Sequence, residues 1–287
     1  MTLRWWQQHM AAQLCALYDE PESESLARNV LMHCTGYDLL HLHLHYDSEA
    51  LATHESCLNK MLNRLMQAEP LQYVLGYTLF CDLNIQVNKS VLIPRPETEE
   101  MVQTIIADQA HRTGLRILDM CTGSGCIALS LAKHLNTSCV TAIDVSPQAL
   151  QTAAENAVAN GVRVNWVQAD VLEPLPELEG GPFDVIVSNP PYVLQSEAAR
   201  MHRNVLEFEP HRALFVHDNN SLCFYEAILN YAIRQSSNQF SLYLEINESK
   251  GSEMAALIQK YGFSDVSFYN DINKKCRFVK VTNMPQK

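Results

Sequence analysis

Leu115-Arg116-Ile117-Leu118-Asp119-Met120-Cys121-Thr122-Gly123-Ser124-Gly125-Cys126-Ile127-Ala128 passes from an apolar run through a short polar turn into the start of a helix. Residues 115–119 read as a strand and residues 126–135 as the helix that follows. Gly123 and Gly125 let the backbone between them turn tightly and approach a ligand with no Cβ in the way. The spacing Gly123-x-Gly125-x-x-Ala128 satisfies the nucleotide-binding fingerprint, and Asp144 lies 19 residues past Gly125, where a ribose-binding carboxylate belongs. A nucleoside-bearing cofactor fits this arrangement, either NAD or S-adenosylmethionine.

Outward from this turn, strands and helices alternate. Residues 140–144 read as a strand and 147–160 as a helix, with Ser146 as its N-cap and Gly161 just past its end. Strands recur near 164–168, 184–188 and 241–246, helices near 221–234 and 252–261, and 267–281 ends the chain as a strand pair. Such alternation predicts an α/β fold with a mostly parallel, doubly wound sheet.

Before it, residues 1–72 read as a helical domain. Leu26, Val30, Leu31 and Cys34 fall at helical spacing, as do Leu58, Met61, Leu62, Leu65 and Met66. His41, His43 and His45 alternate with leucines. On a strand they would share one face and form a metal comb, but no carboxylate or cysteine pattern completes a site, so a solvated polar face is the expectation and no metal is assigned. Residues 73–93 form a connecting hairpin, on the alternation of Leu83, Ile85 and Val87 with polar residues. The final domain covers 94–287. It opens at Pro94-Arg95-Pro96-Glu97-Thr98-Glu99, with Pro96 in the first turn of a helix that runs to about Arg112 and buries Met101, Val102, Ile105 and Ile106.

The chain has 287 residues, 47% apolar and 18% charged, which is globular composition. Its formal charge of −11 argues against non-specific grip on a nucleic-acid backbone, so no direct nucleic-acid partner is expected. The N-terminal residues lack a signal-peptide core and no apolar run reaches membrane-spanning length, so the expectation is a soluble, cytoplasmic protein with no membrane partner. Nine cysteines with no Cys-x-x-Cys spacing are expected to be reduced thiols.

Two features choose between the cofactors. Asp119, at the strand end before the glycines, can help hold a cationic ammonium, present in S-adenosylmethionine and absent from a pyrophosphate. The second is Phe183-Asp184-Val185-Ile186-Val187-Ser188-Asn189-Pro190-Pro191-Tyr192, a buried strand that ends in an amide and two prolines. The prolines stiffen the backbone, so the Asn189 side chain and the Asn189 and Pro190 carbonyls are held where they can accept both hydrogens of a substrate –NH₂. The plainer reading is a proline turn that ends a strand. Asp170 and Val171, after the third strand, are placed to accept from an adenine amino group and pack on its ring, or else to start a turn.

The segment 119–128, Asp144, Asp170 and Asn189-Pro190-Pro191-Tyr192 resemble the class I methyltransferase set, with the tetrapeptide of enzymes that methylate planar amino or amide nitrogens. Leu92-Ile93-Pro94-Arg95-Pro96-Glu97-Thr98-Glu99, Glu69-Pro70-Leu71-Gln72-Tyr73-Val74-Leu75-Gly76 and Glu207-Phe208-Glu209-Pro210 resemble one family, the release factor glutamine methyltransferases (PrmC, also called HemK). The resemblance spans nearly the whole chain. It implies a Rossmann-like, seven-stranded, mostly parallel sheet, a helical N-terminal substrate-recognition domain, and methyl transfer from S-adenosyl-L-methionine to the glutamine of the Gly-Gly-Gln motif in peptide chain release factors. It also implies cofactor contacts from Asp119, Cys121, Thr122, Gly123, Ser124, Gly125, Asp144, Asp170, Val171 and Asn189. Catalytic and substrate contacts fall to Asn189, Pro190, Pro191 and Tyr192, with Arg95 toward the approaching peptide. Cys121 departs from the glycine often found there, and the related ribosomal-protein glutamine methyltransferases can carry that cysteine. The competing readings are that activity, methylation of a nucleic-acid amino group, and nicotinamide-dependent redox chemistry.

Overall fold

The structure, a computed structural model, describes residues 1–282 apart from 137 and 176. The last five residues of the expected 94–287 domain therefore lie outside the described residues. The chain falls into two compact units, residues 1–77 with 202–208, and residues 78–201 with 209 onward.

The first unit is helical: α1 (Leu3–Leu14), α2 (Glu20–Thr35), α3 (Leu39–Leu44), α4 (Ala52–Leu65) and α5 (Leu71–Leu75). Asp19 and Asp38 start α2 and α3 by accepting backbone N–H groups of the first turn. The apolar stripes close one core, with Trp6, Met10 and Leu14 against Val30 and Leu31 and against Leu58, Leu62 and Leu65. Helix α5 runs past residue 72 into the stretch expected to be hairpin. Tyr73-Val74-Leu75 has strand composition, but the Arg64 guanidinium takes up the Tyr73 and Val74 carbonyls and pairs with both oxygens of Glu69. Residues 41–45 are helical or just past a helix end. His41 and His43 are exposed, and each histidine's Nδ1 is bonded to Asp38, Leu39 or His41 of the preceding turn. One pair of cysteines departs from the expected reduced state: Cys34 on α2 and Cys57 on α4 form a disulfide. They lie 23 residues apart, and only the packing of the two helices brings them together.

The second part of the chain begins with the hairpin β1 (Tyr77–Phe80) and β2 (Leu83–Gln86). Its two turn residues, Cys81 and Asp82, both have positive φ without being glycine, and Glu99 accepts the Cys81 N–H at 2.8 Å. Then follow α6 (Pro96–Gln109), β3 (Arg116–Met120), α7 (Cys126–His134), β4 (Cys139–Asp144), α8 (Pro147–Asn160), β5 (Asn165–Gln168) and β6 (Phe183–Ser188). Helix α6 ends three residues early and leaves Ile106 half-buried, its inner face taken instead by Thr98 and Gln109. After β6 comes a stretch with no periodic signal, built of β7 (Val193–Leu194), α9 (Arg203–Phe208), α10 (His211–Leu214) and β8 (Phe215–Val216), of which α9 belongs to the first unit. Helix α11 (Cys223–Gln235), β9 (Ser236–Glu245), α12 (Gly251–Lys260), β10 (Asp265–Asn270) and β11 (Cys276–Thr282) complete the fold.

The main sheet has seven strands in the order β10-β11-β9-β6-β3-β4-β5, in which β11 alone runs against the others. Alternate strand residues face opposite sides. Leu118, Met120, Ile186, Leu242 and Leu244 pack with α11 and α12, while Asp119, Tyr243 and Glu245 meet α6 and α7 on the other side. The order places β4 and β5 to one side of β3 and β6 and β9 to the other, so the chain reverses direction between β3 and β6. Ligands bind at such a switch point.

The hairpin is seated on α8 by asparagines. Fully buried Asn156 accepts the Gln86 N–H at 2.7 Å and donates to the carbonyls of Gln86 and Ser124, each at 3.0 Å. Asn88 and Asn160 add bonds to Thr152 and Asn84. One amide thus ties β2 and the glycine turn to the same helix. Replacing Asn156 by Ala is expected to destabilise the chain by about 1–3 kcal/mol, the cost of leaving its backbone partners unpaired. Urea unfolding followed by circular dichroism measures this, and an unchanged midpoint would contradict it.

Candidate active site

Met120 on β3 lies opposite Ser188 on β6, and beyond them the chain leaves in opposite directions. The Ser188 hydroxyl donates to the Met120 carbonyl at 2.6 Å and holds the two ends together. A cavity of ≈ 280 Å³ opens outside these strand ends. Its wall brings together Cys121, Thr122, Gly123, Ser124, Asp144, Asp170, Val171, Asn189, Pro191 and Arg95 from separate parts of the chain. Asp119, Gly125, Pro190 and Tyr192 are not in that wall.

Asp119 lies behind it. Its carboxylate is fully buried and accepts the Thr122 hydroxyl at 2.5 Å and the Ala128 N–H at 3.2 Å, so it braces the turn. Its other oxygen is buried with no hydrogen-bond partner among the described residues. The carboxylate thus supports the turn from behind the cavity wall. Burial, aided by the nearby Asp144 charge, pushes its pKa up to about 7 against the pull of its two donors.

Cys121 has φ +63°, a left-handed conformation that costs a residue with a Cβ about 1–2 kcal/mol. A glycine there would be unstrained. Burial, with the charges of Asp144 and Asp119, drives its thiol pKa upward, so the side chain is a neutral wall group. Gly125 is constrained by packing as well as by its φ of +81°. A Cβ there would come within 3.0 Å of both Ala153 on α8 and Trp166 on β5.

Asp144 closes β4. One oxygen accepts the Gly123 N–H at 2.9 Å and the other the Ser146 N–H at 2.9 Å. Each carboxylate oxygen keeps a second lone-pair direction, so the group can hold the turn and still accept from hydroxyls. Asp170 accepts the Leu172 N–H, which is the turn role read from its position, while it also lines the cavity beside Val171.

Asn189 follows β6 directly. Its Nδ2 donates to Thr98 Oγ1 at 3.0 Å, and its Oδ1 accepts no hydrogen bond among the described residues. Thr98 in turn donates to Glu245 Oε2 at 2.6 Å, and the Tyr192 hydroxyl donates to Glu245 Oε1 at 2.9 Å. The Tyr192 hydroxyl is therefore committed to a buried carboxylate. Arg95 is also engaged, donating to Glu209 Oε1 at 2.6 Å, while Glu209 Oε2 accepts the Ile93 N–H. Sequence reasoning did not assign roles to Thr98, Glu209, Arg212 or Glu245. Glu245 carried a readable signal, a lone acid in the apolar run Leu242-Tyr243-Leu244-Glu245-Ile246.

The raised pKa of Asp119 ties stability to pH. The folded state holds this proton up to about pH 7, whereas an unfolded carboxyl releases it near the ordinary value of 3.8. The associated stability is complete below the lower value and is lost as pH rises through the upper one. Asp119→Asn is expected to lose less stability than the parent between pH 5 and pH 8 in parallel urea titrations. Superimposable pH profiles would contradict it.

Residues 5–76 match the PrmC N-terminal domain and residues 98–212 the Methyltransferase small domain. A release factor glutamine methyltransferase of Flavobacterium psychrophilum is 42% identical over 98% of this chain and 99% of its own length. That of Bacteroides thetaiotaomicron is 37% identical over 92% and 94%. Among solved structures, the hMettl16 catalytic domain in complex with a MAT2A 3'UTR hairpin superposes with TM-score 0.56 at 17% identity, over 76% of this chain and 82% of that one. A methyltransferase from Pyrococcus furiosus gives 0.52 at 20%, over 71% and 90%. These two structures bear on the fold alone, which is that of the class I methyltransferases. At this identity over nearly its full length, the chain belongs to the release factor glutamine methyltransferase family.

Proposed function

We propose that this protein transfers a methyl group from S-adenosyl-L-methionine to the side-chain amide nitrogen of the glutamine in the Gly-Gly-Gln motif of peptide chain release factors. The observation that carries the reading is Asn189. Its nitrogen is held by Thr98 and its oxygen is left free at the cavity wall, ready to accept an N–H.

The residues present fit the cofactor. Asp144 accepts from the ribose hydroxyls, and Val145, Ala169, Val171 and Leu172 supply apolar walls for a purine, with Asp170 beside them for its amino group. Cys121, Thr122, Gly123 and Ser124 offer backbone to the polar tail, and Gly125 allows the turn its close packing. Asp119 supports this segment from behind. When bound, the cofactor supplies an electrophilic methyl on a sulfonium.

The chain's own part is to make a poor nucleophile react. An amide nitrogen is weak because its lone pair is delocalised into the carbonyl. The Asn189 oxygen at the wall accepts one substrate N–H, and the other is assigned to the carbonyl of Pro190, next in the chain behind it; together they fix the nitrogen's orientation and stabilise positive charge as it develops there. Pro191 stiffens this segment and lines the cavity, while Tyr192 anchors it to Glu245. Arg95, pinned by Glu209, keeps donors for the carbonyls of the incoming peptide. No histidine base is needed, because the proton leaves after transfer.

Residues 1–77 are assigned to recognition of the protein substrate, and the net acidity suits a basic protein partner. Action on a translation factor puts the enzyme in the cytoplasm. Among the described residues, no helix is long and apolar enough to cross a membrane, and no cluster of three His, Cys, Asp or Glu side chains could hold a metal ion. The test is transfer of labelled methyl to a release factor, to its Gly-Gly-Gln→Gly-Gly-Ala variant, and to ribosomal protein and RNA in parallel. Label is expected on the Gly-Gly-Gln protein alone. Equal labelling of the variant, or label on ribosomal protein or RNA instead, would overturn the assignment.

A further inference from the structure

An asparagine side chain presents two faces of similar shape and opposite chemistry. The oxygen can take an N–H from a substrate amide; the nitrogen, a donor, would meet another donor. Something must stop Asn189 from turning over, and the hydrogen bonds behind it do so by counting protons. Thr98 has one hydroxyl proton. It points at Glu245 Oε2, 2.6 Å away, and an ionised carboxylate has no proton to return. The Thr98 oxygen can then only accept, and what it accepts is Asn189 Nδ2–H at 3.0 Å. The second oxygen of Glu245 is committed in the same sense, to the Tyr192 hydroxyl at 2.9 Å.

We infer that Thr98 and Glu245 are positioning residues for amide recognition: the Glu245 carboxylate, acting through the Thr98 hydroxyl, fixes Asn189 with its oxygen toward the substrate. This rests on the reading that the site methylates an amide nitrogen, and deepens it. Glu245 is 1% exposed and Thr98 2%, at the end of β9 and in the first turn of α6. No Lys or Arg hydrogen-bonds Glu245 among the described residues; an opposing charge that acts on it, Arg277 on β11, is bonded to Asp271 and Glu248. A charge buried without an ion-pair partner lowers stability. A neutral residue would fill the space at less cost but would not impose a direction on two hydroxyls.

The arrangement carries its own switch. A protonated Glu245 gains an O–H that can donate to Thr98, whose proton is then free to point at Asn189. The amide can turn over to accept it, and its nitrogen faces the substrate. The groups that set this titration are Thr98 and Glu97 on α6, Tyr192 after β6, Tyr225 on α11, which donates to the Glu245 backbone carbonyl, and Arg277 on β11. Burial favours the protonated form, so turnover is lost on the acid side.

The experiment measures kcat and KM for a Gly-Gly-Gln release factor at saturating S-adenosyl-L-methionine, together with S-adenosylhomocysteine affinity, across pH. Thr98→Val is expected to lower kcat roughly tenfold or more, short of the 10²–10³-fold typical of a direct contact, with KM and product affinity changed little. Thr98→Ser restores kcat. Glu245→Gln lowers the plateau and abolishes the acid limb of the parent's kcat profile, a change that a purely structural role would not produce. Wild-type kcat in Thr98→Val, or a loss that serine does not rescue, would overturn the inference. If the valine variant does not fold, an unchanged acid limb in Glu245→Gln overturns it instead. A parent enzyme that fails to methylate the release factor would instead overturn the underlying functional reading, so the two failures are distinguishable.

Discussion

The hydrogen bond from the Ser188 hydroxyl to the Met120 carbonyl joins the ends of two parallel strands at the point where their continuations part. Beyond Met120 the backbone turns through Cys121 and Thr122 toward α7, and beyond Ser188 it enters Asn189 and the two prolines. Met120 and Ser188 are the last paired residues of the two strands, and a carbonyl oxygen has a second lone pair beyond any ladder bond. The Ser188 hydroxyl takes it up and fixes the separation between the segment assigned to the cofactor and the segment assigned to the substrate. The two reacting groups must meet between them, so an error at this point would carry over directly into the reaction geometry.

Three carboxylates close strands around this junction, and each is used differently. Asp119 on β3 faces inward and braces the glycine turn; Asp144 on β4 holds the same turn from the front and keeps lone pairs for a ligand; Glu245 on β9 directs two hydroxyls. Burial raises the pKa of all three. Acceptors suit this end of a parallel sheet, because the turns leaving it present unpaired N–H groups.

Much of this was legible in the order of residues. The glycine turn, Asp144, the helix 147–160 with its Ser146 cap, and Asn189 at a strand end follow from local rules, and the structure brings them to one wall. What sequence missed depends on contacts between distant segments. Arg64 turns Tyr73-Val74-Leu75 into helix by taking its carbonyls, and the Cys34–Cys57 pairing depends on how two helices pack. Thr98 sits 91 positions from Asn189 and 147 from Glu245, so no spacing rule links them. Asp119 and Tyr192 were recognised as site residues, but the direction of their side chains was not readable. The left-handed backbone at Cys121 was likewise not readable, because nothing in the local sequence demands a positive φ at a cysteine.

The account turns on the Asn189 oxygen acting on the reacting amide and not as a cap for the turn after β6. Single-turnover methyl transfer by Asn189→Ala, read beside S-adenosylhomocysteine affinity and melting temperature on one preparation, separates these roles. The account predicts a rate lower by about 10²–10³-fold with the fold intact and cofactor affinity changed only modestly. A variant that melts earlier yet turns over at the parent rate would contradict it.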